Sequence, residues 1–501
     1  MTDVKEIALD KRPLPTLNKL VSTRNLLIVL GCSLSGVALF LSFFVNFWRI
    51  ANADWFARHE RVMESYIVGR MAQSRQDGIW SHGGLTGTGR LAAPVADYVY
   101  KSPTADQHLA YEKGVPFATF TTYNSQIGGQ GMFFSLLDHW LPIPPQAKLR
   151  LFQALTALVS AIILTAVILW FHLEFGPLAG LASFLSVFCS QWLVVFGRNL
   201  WWSLWSFYLP MVASMFYLRR HPSLAEFRPL CLGVIIFLAT LLKCLFTGYE
   251  YITTTLIMMA VPLVYSGIRE QTNFREFCRK GLVVAGGAGL AVLLSLLILC
   301  AQIAAVKGRA DAGIAHIYYS FQMRTHSAST NFPAEIAGPR EAKSLKASTA
   351  EVLALYLKTG IYFDANNFIY VQNPWVAEHL QKVRYSHLIV LFMLASGVLR
   401  LRERRLPEAE GRKSRALLAA TWFAVLAPLS WLVIFKAHSF VHPHMNHVVW
   451  QMPFVSYGFA LCALALESLW PGAVVPASRR TSCAGRIPPP PRPETGKEPR
   501  G

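Results

Sequence analysis

The chain has 501 residues, 53% of them hydrophobic and only 15% charged, against about 25% charged in an ordinary soluble domain. Its formal net charge is +19 and its pI near 9.7, so nucleic-acid binding stands as a reading until the positions of the charges are known. Apolar runs of roughly twenty residues recur about ten times, each able to cross the ~30 Å core of a bilayer as a helix, and these exclude a soluble globular enzyme.

In chain order, spans are predicted near 26–48, 149–171, 179–197, 202–218, 229–247, 251–267, 281–306, 386–400, 416–435 and 452–470. Alternation puts 1–25, 219–228, 268–280, 401–415 and 471–501 on one side. Those segments hold Lys11, Arg12, Arg24, Arg219, Arg220, Arg269, Arg279, Lys280 and the basic residues from Arg402 to Arg415. That is the positive-inside pattern, which places both termini in the cytoplasm and explains the basic charge without nucleic acid. The first apolar run is longer than a signal-peptide core and is predicted to stay as an uncleaved anchor. Six cysteines fall in spans, while Cys278 and Cys483 are cytoplasmic, so no disulfide framework holds the outer face.

The expected fold is thus an all-α polytopic membrane protein. It has a cytoplasmic N-terminus (1–25), a multi-span domain (26–470) and a disordered cytoplasmic tail (471–501), in which Ile487-Pro-Pro-Pro-Pro-Arg492-Pro493 reads as extended chain. Two outer loops, 49–148 and 307–385, are too long to be connections. The first opens with a helical pattern of Trp55, Phe56, Val62, Tyr66, Ile67 and Met71, as on a helix lying along the membrane surface. Glycine-rich turns follow it, then a second amphipathic stretch from Gln130 to Trp140. The second loop offers a helix near 350–358.

Asp54, Glu60 and Glu64 lie just beyond the first span, and Glu60 and Glu64, at i and i+4, share a helix face. A carboxylate desolvated there would have a raised pKa and could serve as a general base; the alternative is a solvated pair neutralised by Arg58 or Arg61. Lys243 falls one turn inside a span, where a charge marks a functional site unless it snorkels to the interface. Glu250, in Gly248-Tyr249-Glu250-Tyr251, is close enough to form an ion pair with Lys243. Arg198 sits beside Trp201, Trp202 and Trp205, which read as an interfacial belt, while Arg324 follows Tyr318-Tyr319. Cations on this face do not serve the positive-inside rule, and an anionic headgroup or lipid-linked phosphate would explain them. His438, His442, His444 and His447 cluster before the last span. They suit hydrogen bonding at a cavity mouth or interfacial packing, and they leave a divalent metal open, although Pro443 interrupts the spacing. No Walker loop, GxSxG elbow or HExxH is present, and no cofactor is expected.

The stretch Met63-Glu64-Ser65-Tyr66-Ile67-Val68-Gly69-Arg70-Met71, placed early in a large outer loop after one span, is similar to the opening of that loop in the GT-C membrane glycosyltransferases. That family includes aminoarabinose transferases and protein O-mannosyltransferases. The resemblance implies a glycosyltransferase at the extracytoplasmic face of a bacterial inner membrane, with Glu64 as the base. Its implied partners are a polyprenyl-phosphate-linked sugar donor, an envelope glycan or lipid acceptor and membrane lipids, with no nucleic acid. Lys243, Arg324 and Arg198 would hold the lipid phosphate. Tyrosines such as Tyr249, the tryptophans, Glu250 and the histidines would line the sugar site. Met63 stands where the family usually has an acid, which keeps Glu60 as an alternative base. Rival classes are a polysaccharide or lipid transporter, flippase or polymerase, and a non-catalytic envelope scaffold. The lack of an internal repeat counts against duplicated-half transporters.

Overall fold

The computed structural model describes residues 23–54, 56–57, 60–92, 103–221, 228–325, 347–362 and 372–469. Most of the predicted N-terminal segment and the whole tail 471–501 lie outside them. Helix α1 (Thr23–Val45) is the first apolar helix. Asn46 turns the chain out of it in the left-handed conformation (φ 50°), which Asn tolerates, and its side chain bonds Ala51 in both directions (2.8 and 3.2 Å).

The described residues between α1 and the next long helix form elements of their own. These are α2 (Glu60–Asp77), β1 (Gly87–Leu91), α3 (Pro103–Lys113), β2 (Phe117–Thr122) and α4 (Gly129–Trp140). The β1–β2 pair is antiparallel and amends the all-α expectation. A Cβ on Gly87 or Gly89 would collide with the Thr121 backbone or the Phe117 ring, so the glycines that read as a loop are what let these strands close. Asp138 of α4, 3% exposed, takes a forked pair of bonds from Arg75 (2.6 and 2.7 Å) and one from the Tyr111 hydroxyl (2.7 Å). It also pairs with Lys148 at 3.1 Å. One carboxylate thereby ties α2, α3 and α4 to the start of α5.

The bundle follows: α5 (Pro145–Phe175), α6 (Pro177–Phe188), α7 (Gln191–Gly197), α8 (Leu204–Arg220), α9 (Pro229–Thr247), α10 (Ile252–Arg269) and α11 (Phe274–Lys307). Pro145 starts α5, and Gly176, at φ 99°, ends it, the usual proline-first, glycine-last asymmetry. Next come α12 (Ala312–Thr325), α13 (Thr349–Lys358), α14 (Pro374–Leu380), α15 (Tyr385–Arg402), α16 (Glu408–Ala424), α17 (Leu426–Ile434), α18 (Lys436–Val441), α19 (Pro443–Asn446) and α20 (Phe454–Leu469). The helices predicted at 130–140 and 350–358 are present, the latter opened by a Ser348–Glu351 capping box.

Among the described residues seven helices are long and apolar enough to cross a membrane, or nine if each bent pair forms one span. The bent pairs are α6 with α7, at 68°, and Pro443–Gln451 with α20, at 42°. The expectation of about ten spans differs at 202–218, where α8 has 17 residues with Pro210 inside it, roughly 25 Å at ~1.5 Å per residue. The molecule is a mostly helical, multi-pass membrane protein.

Chain ends that alternation assigns to one side do meet. Glu174, at the end of α5, bonds Arg219 at the end of α8, Arg269 at the end of α10 (2.7 Å) and the Tyr265 hydroxyl (3.0 Å). Its carbonyl accepts from Lys413 near the start of α16 (3.1 Å). Arg219 and Arg269 are therefore not merely solvated charges: they close one end of the bundle around a buried carboxylate.

Candidate functional site at the Glu64 end of the bundle

Glu64 is 1% exposed, so the solvated-pair reading does not hold for it. It shares a face of α2 with Ile67, Val68 and Met71, all fully buried, at the i, i+3, i+4, i+7 spacing of a core stripe. The surface-helix expectation fails for the same reason: Glu64 and Arg70 are both inside, while Val62 is 41% exposed.

Glu64 Oε2 accepts from Gln153 Nε2 of α5 (2.9 Å) and Oε1 from the Leu200 amide (3.0 Å). The Leu200 amide is aimed by its neighbours. Asn199 Oδ1 accepts from the amides of Trp201 and Trp202 (2.9 and 3.1 Å), an Asx-type turn that fixes the α7–α8 link. A Cβ on Gly197 would strike the Phe43 ring, so α7 ends pressed against α1. Arg198 then donates to the Phe44 carbonyl (2.8 Å) and lies 4.0 Å over the Phe56 ring. Burial pushes the Glu64 carboxyl up to about 7, while the Leu200 amide, Gln153 and the fields of Arg198 and Arg61 pull it down.

Of the other predicted acids, Asp54 is exposed, and the Glu60 side chain lies outside the described residues. Arg70 serves the fold: it donates to the Ser81 carbonyl (2.6 Å), the Ser81 hydroxyl (2.7 Å) and the Gly78 carbonyl (2.9 Å).

Aromatic rings beside Leu200, which donates to Glu64, lead to Arg324. Tyr66 packs on Tyr123 and Trp201 (ring centroids 5.0 and 4.9 Å), and Tyr123 on Trp201 (5.2 Å). Arg324, at the end of α12, reaches the Tyr123 hydroxyl (3.4 Å) and Glu250 Oε1 (3.3 Å). Its side chain is 17% exposed and that of Glu250 6%. The expected Lys243–Glu250 carboxylate pair does not form. Lys243, 0% exposed, donates instead to the Gly248 and Glu250 carbonyls (2.7 and 2.6 Å), binding the α9–α10 turn together. Tyr249 also faces away, its hydroxyl 3.2 Å from Ser295 of α11. Trp201 and Trp202 are 3% and 2% exposed, so they are core residues rather than a lipid-facing belt.

The histidines adjoin this group. His438 lies 4.8 Å from His442, which lies 5.5 Å from His444, ring to ring. The Asn446 amide donates to His438 Nδ1 (3.2 Å). Burial, then the fields of His442, Arg324 and His444, holds the His438 imidazole well below its usual value and so neutral. Among the described residues no group of three or more His, Cys, Asp or Glu is placed to hold a metal ion. His447 stands apart, boxed by Tyr356, Trp192 and Tyr385 at 4.6, 5.1 and 5.5 Å.

The structure therefore brings Glu64 to Arg198, and Arg324 to Glu250 and His438, and it turns the Lys243 amine and the Tyr249 hydroxyl to other partners. Gln153, Asn199 and Tyr123 had no signal of their own in the sequence. The fold and site define a class, a multi-pass helical membrane protein with a buried carboxylate, its pKa raised by burial, at one end. Comparison with known protein families, curated proteins and solved structures gave no match.

Proposed function

We propose that the chain is a membrane glycosyltransferase of the GT-C kind. It moves a sugar from a polyprenyl-phosphate donor to an envelope glycan or lipid at the extracytoplasmic face, which is the Glu64 end. The observation that carries this reading is the state of Glu64. It is buried, its two hydrogen-bond donors are neutral amides, and its pKa near 7 lets it gain and lose a proton at neutral pH.

In this mechanism the Glu64 carboxylate takes the proton of an acceptor hydroxyl. The hydroxyl oxygen attacks the anomeric carbon from the face opposite the phosphate. The bond from that carbon to the phosphate oxygen breaks, its electron pair leaves with the lipid phosphate, and the configuration inverts. Arg324 offsets the charge that grows on the leaving phosphate. Arg198, engaged with Phe44 and Phe56, keeps Glu64 partly ionised and does not reach for the lipid. Lys243 holds the turn that presents Glu250.

The test is mass spectrometry of envelope glycans and lipids from a deletion strain carrying wild-type or variant genes. A sugar absent from one product in the deletion strain, restored by wild type and not by Glu64→Gln, is the expected result. Restoration by Glu64→Gln but not by Glu60→Gln would move the base to Glu60. Restoration by both, or an unchanged envelope in the deletion strain, would overturn the reading.

A further inference from the structure

Buried polar groups are nearly always hydrogen-bonded, and each exception asks for a reason. Four exceptions are neighbours, one of them Glu250, the partner of Arg324. Trp202 Nε1, Tyr251 Oη, Trp431 Nε1 and Glu250 Oε2 are buried with no hydrogen-bond partner within the described residues. Trp202 is 2% exposed, Tyr251 and Trp431 0%, and Glu250 4%. Their rings are contiguous: Trp202 to Tyr251 is 6.1 Å, Tyr251 to Trp431 5.0 Å, and Trp431 to His438 5.6 Å. Two of the flanking backbone positions, Ser203 (φ 39°) and Tyr251 (φ 50°), take the left-handed conformation without being glycine, a strain that concentrates at ligand sites.

The chemistry of the set selects a ligand class. Aromatic faces with an indole N–H, a phenol O–H and a carboxylate oxygen offer both donors and an acceptor. An apolar chain would leave all of them unpaired, and a phosphate would meet the Glu250 carboxylate. A neutral polyol, whose hydroxyls both donate and accept and whose C–H faces lie on aromatic rings, satisfies them together. We infer that Trp202, Tyr251, Trp431 and Glu250 form the floor of a sugar-ring subsite. Arg324, at the end of α12 and bonded to Glu250, bounds that subsite on the phosphate side. This assignment rests on the proposed glycosyl transfer and names where the donor's sugar sits.

Saturation-transfer difference NMR on the purified full chain in detergent tests it, with the methyl glycosides of glucose, mannose, galactose and arabinose as probes. At least one glycoside is expected to receive saturation. Its Kd should rise about tenfold in Tyr251→Phe and in Glu250→Gln, the loss of one hydrogen bond in a buried site. Trp431→Phe, which keeps a ring and removes the N–H, should act likewise, and unchanged thermal melting of each variant shows that its fold is intact. Binding by none of the four, or parental affinity in all three variants, would overturn the subsite. Glycoside binding alongside an unchanged envelope in the deletion strain would remove the transfer reading and leave the subsite. Intact transfer, with the donor KM unchanged in Tyr251→Phe, would remove the subsite and leave the transfer reading.

Discussion

Helix α5 carries a buried glutamate network at each end, and the two are built in opposite ways. Near its start Gln153 holds Glu64 together with one backbone amide, both neutral donors. At its end Glu174 is clamped by Arg219 and Arg269. The two lie roughly 30 Å apart at ~1.5 Å per residue, about the thickness of a bilayer core. A carboxylate set between two arginines is a structural tie, and here it joins α5, α8 and α10. A carboxylate given amides keeps its proton in play. The same side chain is a clamp at one end and a candidate base at the other: arginines hydrogen-bond the first, and amides the second.

That contrast can be broken from either end. The largest effect expected is on transfer: Glu64→Gln should lower the rate about 10³-fold, within the usual range for a general base, measured with membranes and a lipid-linked sugar. Glu174→Gln should instead act on stability. It takes the buried carboxylate from Arg219 and Arg269, both about a third exposed, although Arg269 keeps Glu270 at 3.2 Å, and should cost roughly 1–3 kcal/mol in detergent melting. Equal loss of activity and stability in both variants would erase the distinction.

Acidity separates the ends further. Because the folded pKa of Glu64 is raised to about 7 from 4.5, the folded protein holds the proton more tightly than the unfolded chain. Its contribution to stability is complete below about pH 4.5 and is lost as pH rises toward 7, by about 3 kcal/mol. Glu64→Gln should flatten that dependence, and melting curves at pH 5 and 8 would show it. Transfer runs the other way, rising as Glu64 ionises and levelling off above about pH 7. The smallest effect is a sharpening one. Asn199→Ala, which removes the turn that aims the Leu200 amide, should cost about 1 kcal/mol. It should also move the midpoint of the pH–rate profile upward, since an amide that favours the ionised carboxylate is loosened. An unmoved midpoint would show that Leu200 is held by other means.

Part of this was legible in the residues. The spacing of Glu64 with Ile67, Val68 and Met71 places an acid in an apolar stripe, and that alone signals burial. A stripe drawn instead through Val62 and Tyr66 hides it. Trp201 and Trp202 read as an interfacial belt because tryptophans near span ends usually are one, yet here the α7–α8 link folds inward. Lys243 read as a functional-site residue because of its depth in a span, and a lysine that caps its own turn has the same depth.

Apolar length is a local property, so the chain alone determined that this is a multi-pass helical membrane protein, roughly where its helices run and which charges gather at each end. Pairing is not local. Glu64 meets Gln153 and Leu200, and Glu250 meets Arg324, across long stretches of chain. Whether a charge is solvated, clamped or left reactive depends on which distant donors packing brings within about 3 Å, and the tertiary structure alone decided that.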